Sequence, residues 1–363
     1  MQLKVTQENL AKALNYVARV ANTRTTLPIL SNVLLKIEDN RLGLAATNLD
    51  IAIHCYIGAQ VAKEGAITVP ARLFQDLVTG LPSGVIELEQ DEQRLKIHTE
   101  RFNSVVNGIT ADDFPSMPGI ENGTSWSISG PLLKQGLQQV LLAASNDDSR
   151  PVLTGVYFQT IDGQLYIAST DSYRLAERKL CPMKEEVKLL IPASALQDVL
   201  RILSDYEGDV QITHDDQQVL FGIGEVEVVA RLIEGNYPDY RKLIPTSFET
   251  TAKIDKPELT NIVKVTSLFA RESAGSVVLS VDEPSSSIWI RAVASQLGEN
   301  NATATVEATG NGSITLNSKY ILDALSVLPG KKTTIAFNGK VEPAVFRDAD
   351  DDSYTHIIMP LKS

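Results

Sequence analysis

The sequence predicts an α+β protein built from three tandem repeats of a two-helix, antiparallel-sheet domain. The first observation is self-similarity at a spacing of 123 residues: Leu10 recurs as Leu133, Val33 as Val156, Thr47 as Thr170 and Pro115 as Pro238. A third copy follows, with Leu133 recurring as Leu259 and the stretch 316–328 repeating 191–203. A period this long is the size of a domain and too long for a solenoid unit. The second observation is that each copy shows the same order of signals, helix, hairpin, strand running into a second helix, then further short strands. The domain boundaries expected from this are 1–120, 121–246 and 247–363.

Each repeat opens with an amphipathic helix. Leu10, Leu14, Val17 and Ala18 fall on one face of a 3.6-residue period, as do Leu133, Leu137, Val140 and Leu141 in the second copy. The third copy starts near Asp255-Lys256-Pro257 and carries Leu259, Ile262, Val263 and Thr266. Residues 32–45 read as two strands around a turn at Glu38-Asp39-Asn40, and 155–168 as two strands turning at Asp162-Gly163, a favoured hairpin pair. Val277 to Val281 and Ile288-Trp289-Ile290 flank the third turn. Each second helix follows directly on a strand, at Pro70-Ala71, Pro192-Ala193 and Asn317-Ser318, where proline suits a first helical turn. Amphipathic helices of this kind must cover a sheet face.

Composition excludes several classes. A net charge of −12 argues against broad adhesion to nucleic acid or anionic lipid. The opening residues have no apolar leader core and no apolar run is long enough for a membrane helix, so a cytoplasmic protein with no membrane partner is expected. Cys55 and Cys181 lie in different repeats, which suits a reducing compartment rather than a disulfide framework.

No catalytic constellation stands out, and no enzyme is expected. There is no G-x-S-x-G turn, and Gly330-Lys331-Lys332 lacks the upstream glycine of a phosphate-binding loop. His54, His98, His214 and His356 are scattered, without a neighbouring ligand at metal-binding spacing. The acidic run Asp348-Ala349-Asp350-Asp351-Asp352 lacks the central glycine of a calcium loop and reads as a solvated turn. No metal or cofactor is therefore expected. A nuclease using Asp112-Asp113 or the 348–352 run is the competing class, and an assay with Mg²⁺ separates the two.

Four motifs carry a resemblance: Leu27-Pro28-Ile29-Leu30, Thr170-Asp171-Ser172-Tyr173-Arg174-Leu175, Tyr237-Pro238-Asp239-Tyr240-Arg241 and the terminal Met359-Pro360-Leu361. Together with the three repeats, and over the whole chain, they resemble the bacterial DNA sliding clamps, the beta subunits of DNA polymerase III. The resemblance implies the DNA clamp fold and a head-to-tail homodimer forming a closed ring whose helices line the pore. It implies a processivity factor of chromosomal replication that encircles duplex DNA without sequence preference. Such a ring tethers the replicative polymerase, the clamp loader and repair proteins through short linear motifs. The alternative is a clamp-fold scaffold that does not encircle DNA. Charge placement agrees with the ring: the expected helices hold Lys12, Arg19, Arg72, Lys134, Arg201, Lys256, Lys264 and Lys319 against Glu8, Asp76, Asp198, Glu258 and Asp323. That is +3 in the helices and −15 elsewhere, a weakly basic lining that holds DNA without making contacts too strong for sliding.

The resemblance also implies site residues. A hydrophobic peptide-binding cleft would use Leu153, Thr170, Ser172, Tyr173, Arg174, Leu175, Pro238, Lys242, Leu243, Val341, Pro343, Ile358, Met359, Pro360 and Leu361. The aliphatic members would form its floor, while Arg174 and Lys242 would frame its rim. DNA contacts would come from Arg24, Arg72, Arg150, Lys12, Lys134, Arg201 and Lys264. The ring joint would set Leu268 and Phe269 against Ser104 and Val106 of the partner. Ser172-Tyr173 stand where many relatives carry Gly-His, and Pro151-Val152 stand where some carry tyrosines.

Overall fold

A computed structural model describes residues 1–21, 27–116, 118–296 and 298–361. Among these residues there are six α-helices, two in each repeat: α1 (Gln7–Ala21), α2 (Ala71–Gly80), α3 (Gly130–Val140), α4 (Ala193–Ile202), α5 (Lys256–Ser267) and α6 (Ser318–Val327). The apolar stripe read from the sequence is the buried one. Leu10, Leu14, Val17 and Ala18 of α1 are fully buried, as are Leu133, Leu137 and Val140 of α3. In α5 the buried face is Leu259, Val263 and Thr266. The Asn317 side chain accepts the Lys319 N–H at 2.9 Å and caps α6. α3 stops earlier than the apolar periodicity, because its last turn tightens into a 3₁₀ turn at Leu141–Ala143.

The hairpins form where turn chemistry placed them. Asn32–Glu38 pairs with Arg41–Thr47 around Asp39 and Asn40, both at positive φ (46° and 60°). Gly155–Ile161 pairs with Gln164–Thr170 around Asp162 (50°) and Gly163 (72°). Two successive left-handed residues match the twist of the flanking strands.

The contacts divide the chain into two compact units, and the division cuts through the central repeat. One unit holds 1–134 and 194–232; the other holds 135–193 and 233–363. The first contains an eight-stranded sheet in the order Thr124–Ser129, Asp209–His214, Gln218–Ile223, Val226–Arg231, Ile51–Gly58, Arg41–Thr47, Asn32–Glu38, Ala66–Pro70. It also contains a five-stranded sheet, Gln60–Lys63, Gln2–Thr6, Val85–Asp91, Arg94–His98, Asn103–Asn107. The second unit contains a nine-stranded sheet, Lys188–Pro192, Gly155–Ile161, Gln164–Thr170, Arg174–Pro182, Tyr354–Ile358, Ala344–Asp348, Lys332–Phe337, Thr250–Asp255, Glu307–Thr309. Its smaller sheet runs Gly298–Thr305, Ser287–Ala294, Ser276–Asp282, Gly312–Asn317. Each large sheet joins strands of two successive repeats, so an edge strand of one repeat finds its partner in the next. In the first unit this seam is Ile51–Gly58 against Val226–Arg231; in the second it is Arg174–Pro182 against Tyr354–Ile358.

Candidate functional site

Of the residues singled out for a peptide cleft, Tyr173, Arg174, Pro343, Ile358 and Met359 collect at one end of the nine-stranded sheet. Arg174 pairs with Ile358 and Ile358 with Ala344 across three neighbouring strands. The next residues outward are therefore Tyr173, Met359 and Pro343, and the Met359 N–H donates to the Tyr173 carbonyl at 2.8 Å. The loop that presents Tyr173 is built by two side chains. Asp171 Oδ1 accepts the N–H groups of Tyr173 (2.9 Å) and Arg174 (3.0 Å). Thr170 Oγ1 accepts the Ser172 N–H (3.1 Å) and donates to the Arg174 carbonyl (2.6 Å). These bonds hold Ser172 at φ 77°, a left-handed conformation that costs a non-glycine residue about 1 kcal/mol or more.

The floor is apolar. Leu175, Ile357 and Val345 pack with Tyr157, Ala168, Leu190 and Tyr240 in one buried cluster, against which Val152, Tyr237, Ile244 and Phe248 also pack. Leu153 and Ile358 are buried as well. Above this floor large apolar side chains stay in solvent: Tyr173 is 60% exposed, Leu243 53% and Val341 83%. Met359, Pro360 and Leu361 are half-buried, and the Leu361 N–H donates to the Thr315 carbonyl at 2.9 Å.

Leu243 ends a 3₁₀ turn, Tyr240–Leu243, that is bolted to the sheet. Tyr240 OH donates to Glu177 at 2.7 Å and Arg241 Nε donates to the same carboxylate at 2.9 Å, while the Arg241 guanidinium lies 4.0 Å over the Tyr166 ring. Burial, with the Glu177 carboxylate, pushes the Tyr240 phenol well above its usual range, so it remains the donor. Tyr237 and Tyr240 stand in the sequence motif beside Pro238, and their spacing to Pro238 is the signal that marks them as parts of this wall. Pro238 itself is exposed.

The two basic residues expected on the rim differ. Lys242 is exposed and pairs with Asp239, at 2.8 Å. Arg174 is not free: it meets Asp171 (3.0 Å) and Asp323 of α6 (2.5 Å) and stacks 4.5 Å over Tyr320. Nothing local in the sequence signals Asp323 or Tyr320 as its partners, because they lie about one repeat away. Arg150 reaches the same loop, donating to Ser172 Oγ at 3.0 Å and pairing with Asp147 at 3.3 Å.

Of the other residues expected to meet DNA, Lys12, Arg72 and Lys264 are exposed on their helices. Lys134 Nζ donates to the Ser204 carbonyl at 2.6 Å. Arg201 donates to the Tyr16 carbonyl at 2.9 Å and pairs with Asp198 at 3.1 Å. Both are thus engaged in holding their own unit. Arg24 lies outside the described residues. Ser104 and Val106 stand on Asn103–Asn107, the last strand of the five-stranded sheet, where Val106 is buried and the intervening Val105 is 59% exposed. Leu268 is 49% exposed just beyond α5, and Phe269 is half-buried. Among the described residues, no group of histidine, cysteine and carboxylate side chains is arranged to hold a metal ion, and no helix is long and apolar enough to cross a membrane.

Comparison with known proteins matches three family models in succession. They are the DNA polymerase III beta subunit N-terminal domain over residues 1–118, its central domain over 127–239 and its C-terminal domain over 241–362. The chain is 31% identical to the beta sliding clamp of Staphylococcus epidermidis and 30% identical to that of Bacillus subtilis, each over the full length of both proteins. Among solved structures it superposes on the DNA polymerase sliding clamp of Bacillus subtilis with a TM-score of 0.94 at 30% identity, covering 100% of this chain and 99% of that one. A sliding clamp from Pseudomonas aeruginosa solved with griselimycin gives 0.94 at 27% identity with complete coverage of both.

Proposed function

Because this chain belongs to the DNA polymerase III beta subunit family and is a processivity factor of DNA replication, we propose that it works as a head-to-tail dimeric ring around duplex DNA. In this reading it tethers polymerase, clamp loader and repair proteins through the surface around Tyr173, Leu243, Val341 and Met359. The three domains are 1–120, 121–246 and 247–363. The protein binds and tethers rather than catalysing a reaction, and it acts in the cytoplasm at the nucleoid.

One observation carries the cleft. Tyr173, Leu243 and Val341 stay exposed around a buried apolar floor, on a loop and a turn that hydrogen bonds hold in place. A pre-set apolar surface loses little ordering entropy when a short peptide docks. Aliphatic and aromatic anchors of the peptide would supply most of the energy. For the ring, the Asn103–Asn107 strand offers an open edge, with Ser104 and Val106 meeting Leu268 and Phe269 of a second copy. A heterologous joint of this kind closes only if the rotation it generates returns to the start. DNA would be met by the exposed Lys12, Arg72 and Lys264, together with Arg24 and Arg150. Lys134 and Arg201, tied to carbonyl groups, would add positive potential rather than direct contacts.

The test is a titration of a labelled Gln-Leu-x-Leu-Phe pentapeptide into the intact chain and into a chain ending at Ile358. That end point spares the strand whose last residue pairs with Arg174. Micromolar binding, about −8 kcal/mol, that disappears in the shortened but folded chain supports the reading. Equal binding by both places the peptide elsewhere.

A further inference from the structure

The loop that presents Tyr173 is built twice in this chain, and the second copy carries a tie that the first cannot make. Positions 47–51 and 170–174 are 123 residues apart. In the first, Thr47 Oγ1 accepts the Leu49 N–H (3.0 Å) and donates to the Ile51 carbonyl (3.0 Å). Asn48 Oδ1 accepts the N–H groups of Asp50 (3.1 Å) and Ile51 (2.8 Å). Thr170 and Asp171 make the same four bonds in the second loop. Leu49 stands at φ 79° and Ser172 at 77°. The backbone of this turn is therefore held by its own threonine and its own Asn or Asp side chain, as such turns usually are. What differs is the left-handed residue. Leucine offers no polar side-chain atom, whereas the Ser172 hydroxyl accepts a bond from Arg150 Nη1 at 3.0 Å.

Arg150 comes from a second loop, 145–153, which leads into the floor of the cleft. The Ser145 N–H donates to the Leu153 carbonyl at 2.9 Å and closes this loop at its base. Inside it, Asp147 Oδ1 accepts the N–H (3.0 Å) and the hydroxyl (2.6 Å) of Ser149. The Ser149 hydroxyl first, then its N–H and the Arg150 guanidinium, hold the Asp147 carboxyl below its usual range, so it is ionised at neutral pH. Asp147 Oδ2 accepts from Arg150 Nε at 3.3 Å. Nε on Asp147 and Nη1 on Ser172 fix the planar guanidinium at two points. At the end of the loop Leu153 is buried, and Val152 packs on the apolar cluster beneath the cleft. The arginine thus joins the loop that supplies the floor to the loop that supplies Tyr173.

We propose that Arg150 is a positioning residue of the peptide cleft, fastening the Tyr173 wall to the 145–153 loop through the Ser172 hydroxyl. The inference rests on the reading of this surface as the peptide cleft. Tyr173 follows Ser172 directly and is 60% exposed, so a bond that restrains the loop restrains the ring. A wall already in place loses less ordering entropy when the peptide docks. The tie depends on the serine: glycine at position 172 would keep the turn and lose the acceptor. A guanidinium has five N–H donors, so these two bonds leave others for a phosphate.

The experiment is a calorimetric titration of the Gln-Leu-x-Leu-Phe pentapeptide into full-length wild type, Arg150→Ala, Ser172→Ala and the double variant. Alanine at position 172 removes the hydroxyl and keeps the Cβ. Each single variant should bind about threefold more weakly, the share of one exposed hydrogen bond, and the double variant no more weakly than either. Melting temperatures should stay together, because both side chains are exposed. Amide relaxation of the free proteins should show residues 172 and 173 more mobile in all three variants, and to the same extent. Arg150→Met, which keeps the apolar stem, gives the same test if Arg150→Ala does not fold. Unchanged affinity in Arg150→Ala overturns the proposal. So does a loss of about ninefold in the double variant, since the two side chains would then act independently. A wild type that does not bind the peptide overturns the cleft reading and this inference with it, whereas the other two results overturn this inference alone.

Discussion

Arg174, expected on the rim of the cleft, is also tied to three neighbouring side chains as a clamp, which a double-mutant cycle can measure. Its side chain is 11% exposed and bridges Asp171 (16%) and Asp323 (31%) while stacking on Tyr320. Truncating one partner of a fully buried pair costs about 3–5 kcal/mol, and breaking a surface pair about 0–1. Partial burial with two carboxylates left behind puts Arg174→Ala at about 2–3 kcal/mol. The coupling between Arg174→Ala and Asp323→Ala should be about 1–2 kcal/mol, since Asp171 and Tyr320 retain part of the interaction in the single Asp323 variant. Arg174→Lys should recover less than half, because an ammonium can neither stack on Tyr320 nor bridge two carboxylates with a planar fork. The chain has two tryptophans, Trp126 in the first unit and Trp289 in the second. In a Trp126→Phe background, urea unfolding followed by fluorescence therefore reports the unit that holds Arg174. A coupling below about 0.3 kcal/mol, within the error of additivity, would refute the clamp and return Arg174 to the rim as a free ligand group.

Three further outcomes are expected. Leu243→Ala should weaken the pentapeptide about tenfold, roughly 1.4 kcal/mol, without changing the melting temperature, because Leu243 is already 53% exposed; an unchanged affinity in a calorimetric titration would remove Leu243 from the cleft. Leu268→Lys combined with Phe269→Lys should give monomers in sedimentation, and a dimeric mass would refute the proposed joint. His356 is fully buried, its Nδ1 bonded to Tyr354 OH at 2.8 Å, and burial depresses its pKa to about 3. The unfolded chain takes up a proton below about pH 6.5 while the folded chain does not. Stability tied to this residue is thus complete above that pH and falls as pH drops toward 3, by about 1.4 kcal/mol per unit. Between pH 7 and pH 5 the wild type should lose about 2 kcal/mol more than His356→Gln in urea titrations; parallel losses would show that His356 is protonated in the fold.

The elements that the sequence placed correctly are those governed by local chemistry. The Leu10, Leu14, Val17, Ala18 stripe is the buried face of α1, and the Asp39-Asn40 and Asp162-Gly163 pairs are the turns of their hairpins. Helix periodicity and left-handed turn residues act over a few positions, so one repeat suffices to reveal them. The candidate cleft was legible to the extent that Tyr173, Met359 and Pro343 gather from distant parts of the chain. The role of Arg174 was not legible, because its charge partner Asp323 and its stacking partner Tyr320 come from the following repeat.

The sequence by itself determined the three-fold repetition, the helix faces, the hairpins and the family. Only the tertiary structure decided how strands of successive repeats join into sheets of eight and nine, and hence that the central repeat is shared between two units. It also decided which cations are tied to carbonyl and carboxylate groups and which remain exposed. The physical reason is the same for each. Edge pairing and these polar ties join groups that are 70 to 185 residues apart in the sequence, and their energies are set by burial and distance that no local pattern encodes.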